Sequence, residues 1–257
     1  MSSDRYALAN AWELADRRLE ALELAHDVAT SRRLRAVGLQ PGWRCLEVGA
    51  GRGSVARWLG AEVGPHGQVV AVDVDARFLR DLDSPMIEVV EADVVTDPLP
   101  SGPFDVVHAR LLLMHLAARD QLVPRLVDVL RPGGVLLVEE HDIFPVTATA
   151  DGAYGAAWSV FVRAMEAAGV APTWIRGVPA KFELLGLADV TTDVDVPFFP
   201  ERSPEAEFWR LTWLQAADRV IAAGVPRSVV DAGIEALEQS GTWFYGPAMV
   251  AVSGRRR

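Results

Sequence analysis

The chain has 257 residues, half of them hydrophobic and 23% charged, a composition that excludes disordered, collagen-like and fibrous classes. At this length folding buries roughly 70–75% of the surface an unfolded chain exposes, so a large core and an enclosed pocket are both within reach. A formal charge of −10 argues against nucleic acid or an anionic membrane surface as the partner and favours a small molecule.

The opening residues, Met1-Ser-Ser-Asp-Arg-Tyr6, lack a basic region followed by an apolar one. No later stretch approaches the about 18 apolar residues of a membrane span, so neither export nor anchoring is expected. Residues 7–37 carry apolar positions at helical spacing (Trp12, Ala15, Leu19, Leu22), and Thr30-Ser31 is placed to cap a second helix beginning at Arg32. Residues 1–40 are therefore expected to form a helical N-terminal cover, with Tyr6, ahead of the first helix, either folding over a ligand or equally part of a frayed terminus. His26 and His66 are read as surface residues.

From Trp43 to His141 short apolar runs alternate with helical segments. Residues 45–48, 69–72, 87–90, 106–107 and 135–138 read as strands, apolar on both faces as in a parallel sheet covered by helices on each side. Cys45, the only cysteine, lies in the first; a lone cysteine excludes an intrachain disulfide and fits a reducing compartment, with the cytoplasm as the default. Beyond Ile143, residues 152–168, 204–223 and 228–238 read as helices, and residues 188–196 and 244–252 as the last strands of the same sheet. Pro247 in the final run predicts an edge or a bulge. Five of the eight tryptophans lie in this third region, and Trp158, Phe161, Trp209 and Trp213 are the candidate walls of an apolar substrate pocket; as individual residues they are also ordinary core formers.

Chemistry concentrates at Leu46-Glu-Val-Gly49-Ala-Gly51-Arg-Gly53-Ser, where the first strand runs into a helix. Small residues there let the backbone approach a ligand, and the helix start offers free N–H groups and positive potential. The glycines run G-x-G-x-G with Ser54 next, whereas a dinucleotide fingerprint requires G-x-G-x-x-G. Glu47 precedes the first glycine by two residues, and Asp73 ends the second strand, where a carboxylate can accept bonds from both hydroxyls of a ribose.

Together these residues resemble the class I S-adenosylmethionine-dependent methyltransferases, over roughly Arg35 to Asp142. The resemblance implies a doubly wound, Rossmann-like α/β sheet of seven strands in the order 3-2-1-4-5-7-6, the last antiparallel. The whole chain, 1–257, would be a single methyltransferase domain, with a cofactor-binding core over 41–142 and cap helices and the last two strands over 143–257. It implies that Glu47, Gly49, Ala50 and Gly51 lie at the methionine end of S-adenosylmethionine, that Asp73 holds the ribose, and that Val74 packs on adenine. Asp93 and Val94, in Glu91-Ala-Asp93-Val94, match the adenine-binding turn, while His108, Ala109 and Arg110, after the fourth strand, are candidate cofactor contacts, Arg110 for the methionine carboxylate or an acidic substrate or equally for a surface ion pair. Asp93 alone could equally cap the turn before Thr96-Asp97-Pro98. Short loops and the His-x-Arg…His-Leu pattern after strand four are similar to the ubiquinone and menaquinone methyltransferases.

The expected reaction is transfer of the sulfonium methyl to a small, largely apolar or aromatic acceptor, leaving S-adenosylhomocysteine, with no metal, no nucleic acid and no membrane partner; a homodimer is left open. His141, after strand five, is the first candidate for a catalytic base and His108 the second; His115 is read as a structural residue. Two alternatives stand beside this: a protein of the same fold that keeps the cofactor without methylating, cyclase-like or regulatory, and an NAD(P)-dependent dehydrogenase.

Overall fold

The structure, a computed structural model, describes residues 8, 11–80, 82 and 84–257; Tyr6 lies outside them. A seven-stranded mixed sheet forms from β1 (Arg44–Val48), β2 (Gln68–Asp73), β3 (Ile87–Glu91), β4 (Phe104–Arg110), β5 (Leu130–Asp142), β6 (Ala188–Asp195) and β9 (Ala248–Arg255). Its order is β3-β2-β1-β4-β5-β9-β6, which is the expected 3-2-1-4-5-7-6 once these strands are numbered among themselves. The β3–β2, β2–β1, β1–β4 and β4–β5 pairings are parallel. Remaining strands β7 (Phe198–Pro200) and β8 (Trp243–Tyr245) pair antiparallel with each other.

The chain divides into two compact units, one of His26–Glu140, Ile175–Asp193 and Val250–Arg257, the other of the described residues up to Ala25 with His141–Trp174 and Val194–Met249. In the first, the central strands are buried along both faces, with Leu46, Val48, Val106, Val107 and Leu136 fully inaccessible. Helix α2 (Ser54–Val63) lays Val55, Ala56, Leu59 and Val63 against Val69, Ala71 and Cys45. Burial pushes the Cys45 thiol far above its ordinary range, which keeps it protonated and inert. Helices α3 (Arg119–Asp128) and α6 (Val178–Leu184) belong to the same unit. In the second unit, α4 (Phe144–Thr149), α5 (Gly152–Ala167), α7 (Pro204–Ala222) and α8 (Arg227–Ala236) gather around the β7–β8 pair. Gly233 of α8 sits so close to α5 that an added Cβ would lie 2.2 Å from that of Ala157, so only glycine permits this crossing. Ser203 caps α7 by accepting the Ala206 N–H, with Pro204 in the first turn, which is why the predicted start was correct.

Three sequence expectations are corrected. No second helix begins at Arg32: α1 runs unbroken over Ala15–Ala36, and residues 11–14 form turns. The Ser31 hydroxyl bonds back to the Val28 carbonyl, and that of Thr30 points into a buried network, so neither is available as a cap. The run 244–252 is not one strand, because Pro247, which has no N–H for the ladder, falls between β8 and β9. Finally His26, read as a surface residue, is buried, whereas His66 is exposed as expected.

Candidate functional site

Where β1 ends, the chain turns sharply through Gly49, Gly51 and Gly53, with φ of 74°, 57° and 80°. Those left-handed values disfavour any side chain. The Gly49 and Ala50 N–H groups both bond the Val72 carbonyl, at 2.8 and 3.1 Å, which ties the loop to the end of β2. Asp73 closes it: one carboxylate oxygen accepts the Gly51 N–H at 2.9 Å and the other the Asp75 N–H at 3.0 Å. Burial raises the Asp73 pKa, although the two amide bonds pull the other way. Because Gly53 is the N-cap of α2 and makes no side-chain capping bond, the helix opens with amide donors facing the loop side.

Val74, 63% exposed, leaves an apolar side chain open beside Asp73. After β3, half-buried Asp93 accepts the Val95 N–H at 2.9 Å and donates its own N–H to Asp97, so it does shape the turn as its sequence context suggested; Val94 is buried. A strand-end acid joined to a glycine turn, an exposed apolar residue next to it and a second acid after the next strand form a donor set that fits an adenosyl group.

Behind the loop lies a buried chain of charges. The β1–β4 register sets Glu47 beside His108, and the β4–β5 register sets Arg110 beside Glu139. His108, wholly inaccessible, meets Glu47 through Nδ1 at 2.6 Å and Glu139 through Nε2 at 3.2 Å. Burial favours its neutral form, but the two carboxylates outweigh that and lift its pKa to about 9. Burial likewise opposes ionisation of Glu139, yet His108, Arg33 and Arg110 hold it down at about 2. Arg33 reaches Glu139 at 2.6 Å and Asp193 at 2.7 Å, while Arg110 bonds Thr30 and Asp27, each at 2.9 Å. Asp27 also accepts the Ser54 hydroxyl at the start of α2. His108 and Arg110 thus belong to a network that ends at the glycine loop, with Ala109 buried between them.

In the other unit the four candidate pocket residues pack on one another. Trp158 meets Trp209, Trp213 and Phe161 at ring separations of 4.5, 5.4 and 5.7 Å, and all four are buried. His141 joins the same cluster, 5.2 Å from Trp209. Glu205, on the first turn of α7, accepts the Trp209 indole N–H at 3.1 Å, and burial raises its carboxyl to about 7 despite that bond. A groove of about 410 Å³ opens elsewhere, between α1 and β5, β6 and β9, lined by Arg32, Thr191, Asp193, Ser253 and Arg255, none of them a candidate from sequence. Among the described residues, no group of three or more His, Cys, Asp or Glu side chains could hold a metal ion, and no helix is long and apolar enough to cross a membrane.

Sequence reasoning missed Asp27 and Arg33, and it read Glu139 and Glu140, with Asp142, only as neighbours that could hold a tautomer of His141, whereas Glu139 meets His108 and Arg33 and Glu140 accepts the Leu112 to Met114 amides. The one available signal was the pair of adjacent acids in an otherwise apolar strand, since each must find partners on its own face of the sheet.

Residues 46–138 match the model of a methyltransferase domain. The ubiquinone/menaquinone biosynthesis C-methyltransferase UbiE of Laribacter hongkongensis is 35% identical over 113 residues, covering 42% of this chain and 46% of the relative. The chain thus spans about half the length of the curated relatives it matches. Among solved structures, phosphoethanolamine N-methyltransferase 2 of Haemonchus contortus superposes with a TM-score of 0.63 at 16% identity, over 100% of this chain and 60% of that one. The [4+2]-cyclase SpnF superposes with a TM-score of 0.54 at 17% identity, over 90% of this chain and 80% of that one. Such distant superpositions speak to the fold, which hosts more than one chemistry. The matched residues, 46–138, run from the glycine loop to the end of the fifth strand's apolar run, so the similarity to methyltransferase domains falls on the part of the chain that carries the candidate cofactor residues.

Proposed function

We propose that the chain transfers the methyl group of S-adenosylmethionine to a small, largely apolar or aromatic acceptor. The observation that carries this reading is the glycine turn closed by Asp73 through the Gly51 and Asp75 amides. It places a carboxylate, with lone pairs to spare, at the end of β2, where a ribose can be held while the backbone at Gly49 to Gly51 comes close to the amino-acid end of the same ligand. Bound there, S-adenosylmethionine supplies an activated methyl on a sulfonium sulfur.

The chain's own residues would then hold and align. Asp73 accepts the ribose hydroxyls, Val74 offers an apolar face to adenine, and Asp93 accepts from its exocyclic amine. Glu47, Gly49, Ala50 and Gly51 line the amino-acid end, with His108 and Arg110 supporting Glu47 and α2 from behind. His141 is the proposed base for an acceptor hydroxyl or amine, and Trp158, Phe161, Trp209 and Trp213 the proposed apolar surroundings of the acceptor. Alignment and exclusion of water would provide most of the acceleration. A dehydrogenase is disfavoured by the G-x-G-x-G spacing and by the methyltransferase match over residues 46–138. Calorimetry with S-adenosylhomocysteine and with NAD tests the binding half. Transfer of a labelled methyl group to a panel of small metabolites tests the reaction. Tight NAD binding with no response to S-adenosylhomocysteine would refute the assignment, and cofactor binding without any labelled product would reduce the protein to a binding module.

A further inference from the structure

Glu139 and Glu140 are neighbours on β5 and so point to opposite faces. Glu139 belongs to the charge chain; Glu140 does something else. Its side chain is wholly inaccessible, and Oε1 accepts three consecutive backbone N–H groups, from Leu112 at 3.1 Å, Leu113 at 2.6 Å and Met114 at 3.3 Å. Oε2 has no hydrogen-bond partner among the described residues. The segment so gripped begins at Leu111, whose φ of 52° is left-handed and costly for a leucine, and whose N–H bonds the Glu139 carbonyl at 2.8 Å. Arg119 adds one more tie, donating to the Leu113 carbonyl at 3.3 Å.

The held segment puts Leu112 on the glycine turn. A Cβ built on Gly49 would lie 3.0 Å from Leu112 Cδ2 and 3.2 Å from Cδ1, so the leucine side chain occupies the only space a residue larger than glycine could use. Fold stability does not require such an arrangement. A buried carboxyl with one oxygen unsatisfied and a left-handed leucine both cost free energy, and an apolar side chain on β5 would avoid the first. Costs of this kind accumulate where geometry is being fixed for a ligand.

We propose that Glu140 is a positioning residue: by gripping the Leu112 to Met114 amides it presses Leu112 against Gly49 and so sets the glycine turn for the amino-acid end of the cofactor. This inference rests on the methyl-transfer reading above. The role needs an acceptor oxygen rather than a charge. Burial pushes the Glu140 carboxyl up to about 8, against the three amides and Arg119, so near neutral pH it is mostly the uncharged acid and glutamine is its close replacement.

The test compares two ligands by calorimetry: S-adenosylhomocysteine, and 5′-deoxy-5′-methylthioadenosine, which has the adenosine and sulfur but no amino-acid end. Glu140→Leu should weaken S-adenosylhomocysteine at least about tenfold and leave methylthioadenosine within about twofold, while Glu140→Gln keeps both near wild type. Leu112→Ala should reproduce the selective loss from the other side of the contact, and it serves if Glu140→Leu fails to fold. Equal weakening of both ligands, no weakening of either, or failure of glutamine to rescue would overturn the proposal while leaving methyl transfer intact. Wild-type protein that binds neither ligand would overturn both.

Discussion

The buried imidazole of His108 gives the sharpest prediction about the charge chain. Raising it from 6.5 to about 9 corresponds to about 3 kcal/mol of interaction that favours the protonated, folded state, and its full burial removes the solvent screening that would shrink this value. The depressed pKa of Glu139 is the same contact seen from its partner and is not added to it. The sign depends on which state holds the proton. Below 6.5 folded and unfolded chains both carry it, and the stabilisation is fully present; between 6.5 and about 9 only the folded chain does, so stability falls as pH rises and the contribution is gone above about 9. Glu139 acts at the other end of the scale, contributing above 4.5 and losing its contribution as pH falls through about 2. His108→Gln keeps the size and removes the titration. Urea unfolding followed by tryptophan fluorescence from about pH 6 to about pH 10 should show wild type losing about 1.4 kcal/mol per pH unit relative to the variant between 6.5 and about 9. Parallel curves, or an imidazole resonance titrating near 6.5, would show that His108 is not held as a cation and refute the reasoning.

Asp73→Ala should remove charge-assisted bonds to a ribose worth about 1.5–3 kcal/mol, a tenfold or larger loss in S-adenosylhomocysteine affinity by calorimetry; unchanged affinity would move the ribose elsewhere. His141→Ala should lower turnover by about 10²–10⁴-fold with cofactor affinity nearly constant, and full turnover with the true acceptor would remove the base from the mechanism. Trp213→Ala opens a cavity in the aromatic cluster and should cost about 3–5 kcal/mol in urea unfolding. If the acceptor enters that cluster, added acceptor will restore part of the loss, and its absence of effect would leave the tryptophans as core alone.

What could be read from the chain without coordinates depended on the range over which a residue's partners lie. The strands of the parallel sheet were legible because runs such as Val69 to Val72 are apolar on both faces, a pattern set by the strand's own neighbours above and below. Asp73 was legible for a related reason: an acid that ends a buried strand next to a glycine turn has few positions to occupy. The start of α7 was local chemistry, Ser203 and Pro204. Thr30-Ser31 misled because cap propensity is also local, whereas the Thr30 hydroxyl is engaged by Arg110 and Glu139, far away in sequence. His26 looked solvated because it is polar, yet it falls four residues after Leu22 and four before Thr30, on the buried face of α1.

Glu139-Glu140 shows where a sequence could have been pressed further. In a strand where they directly follow Val135, Leu136, Leu137 and Val138, two consecutive carboxylates cannot share one solvated face, because successive side chains alternate. Each must be satisfied inside the molecule, and the means differ: Glu139 is paired with cations and stays ionised, while Glu140 is surrounded by backbone amides and keeps its proton near neutral pH. The pair therefore reports on both sides of the sheet at the same height, the height at which β1 gives way to the glycine turn. One acid supports the turn through His108 and Glu47, the other through Leu112. A single exchange at either position should consequently be felt at Gly49, from opposite faces, and a double exchange should depart from additivity, because both routes converge on the same turn.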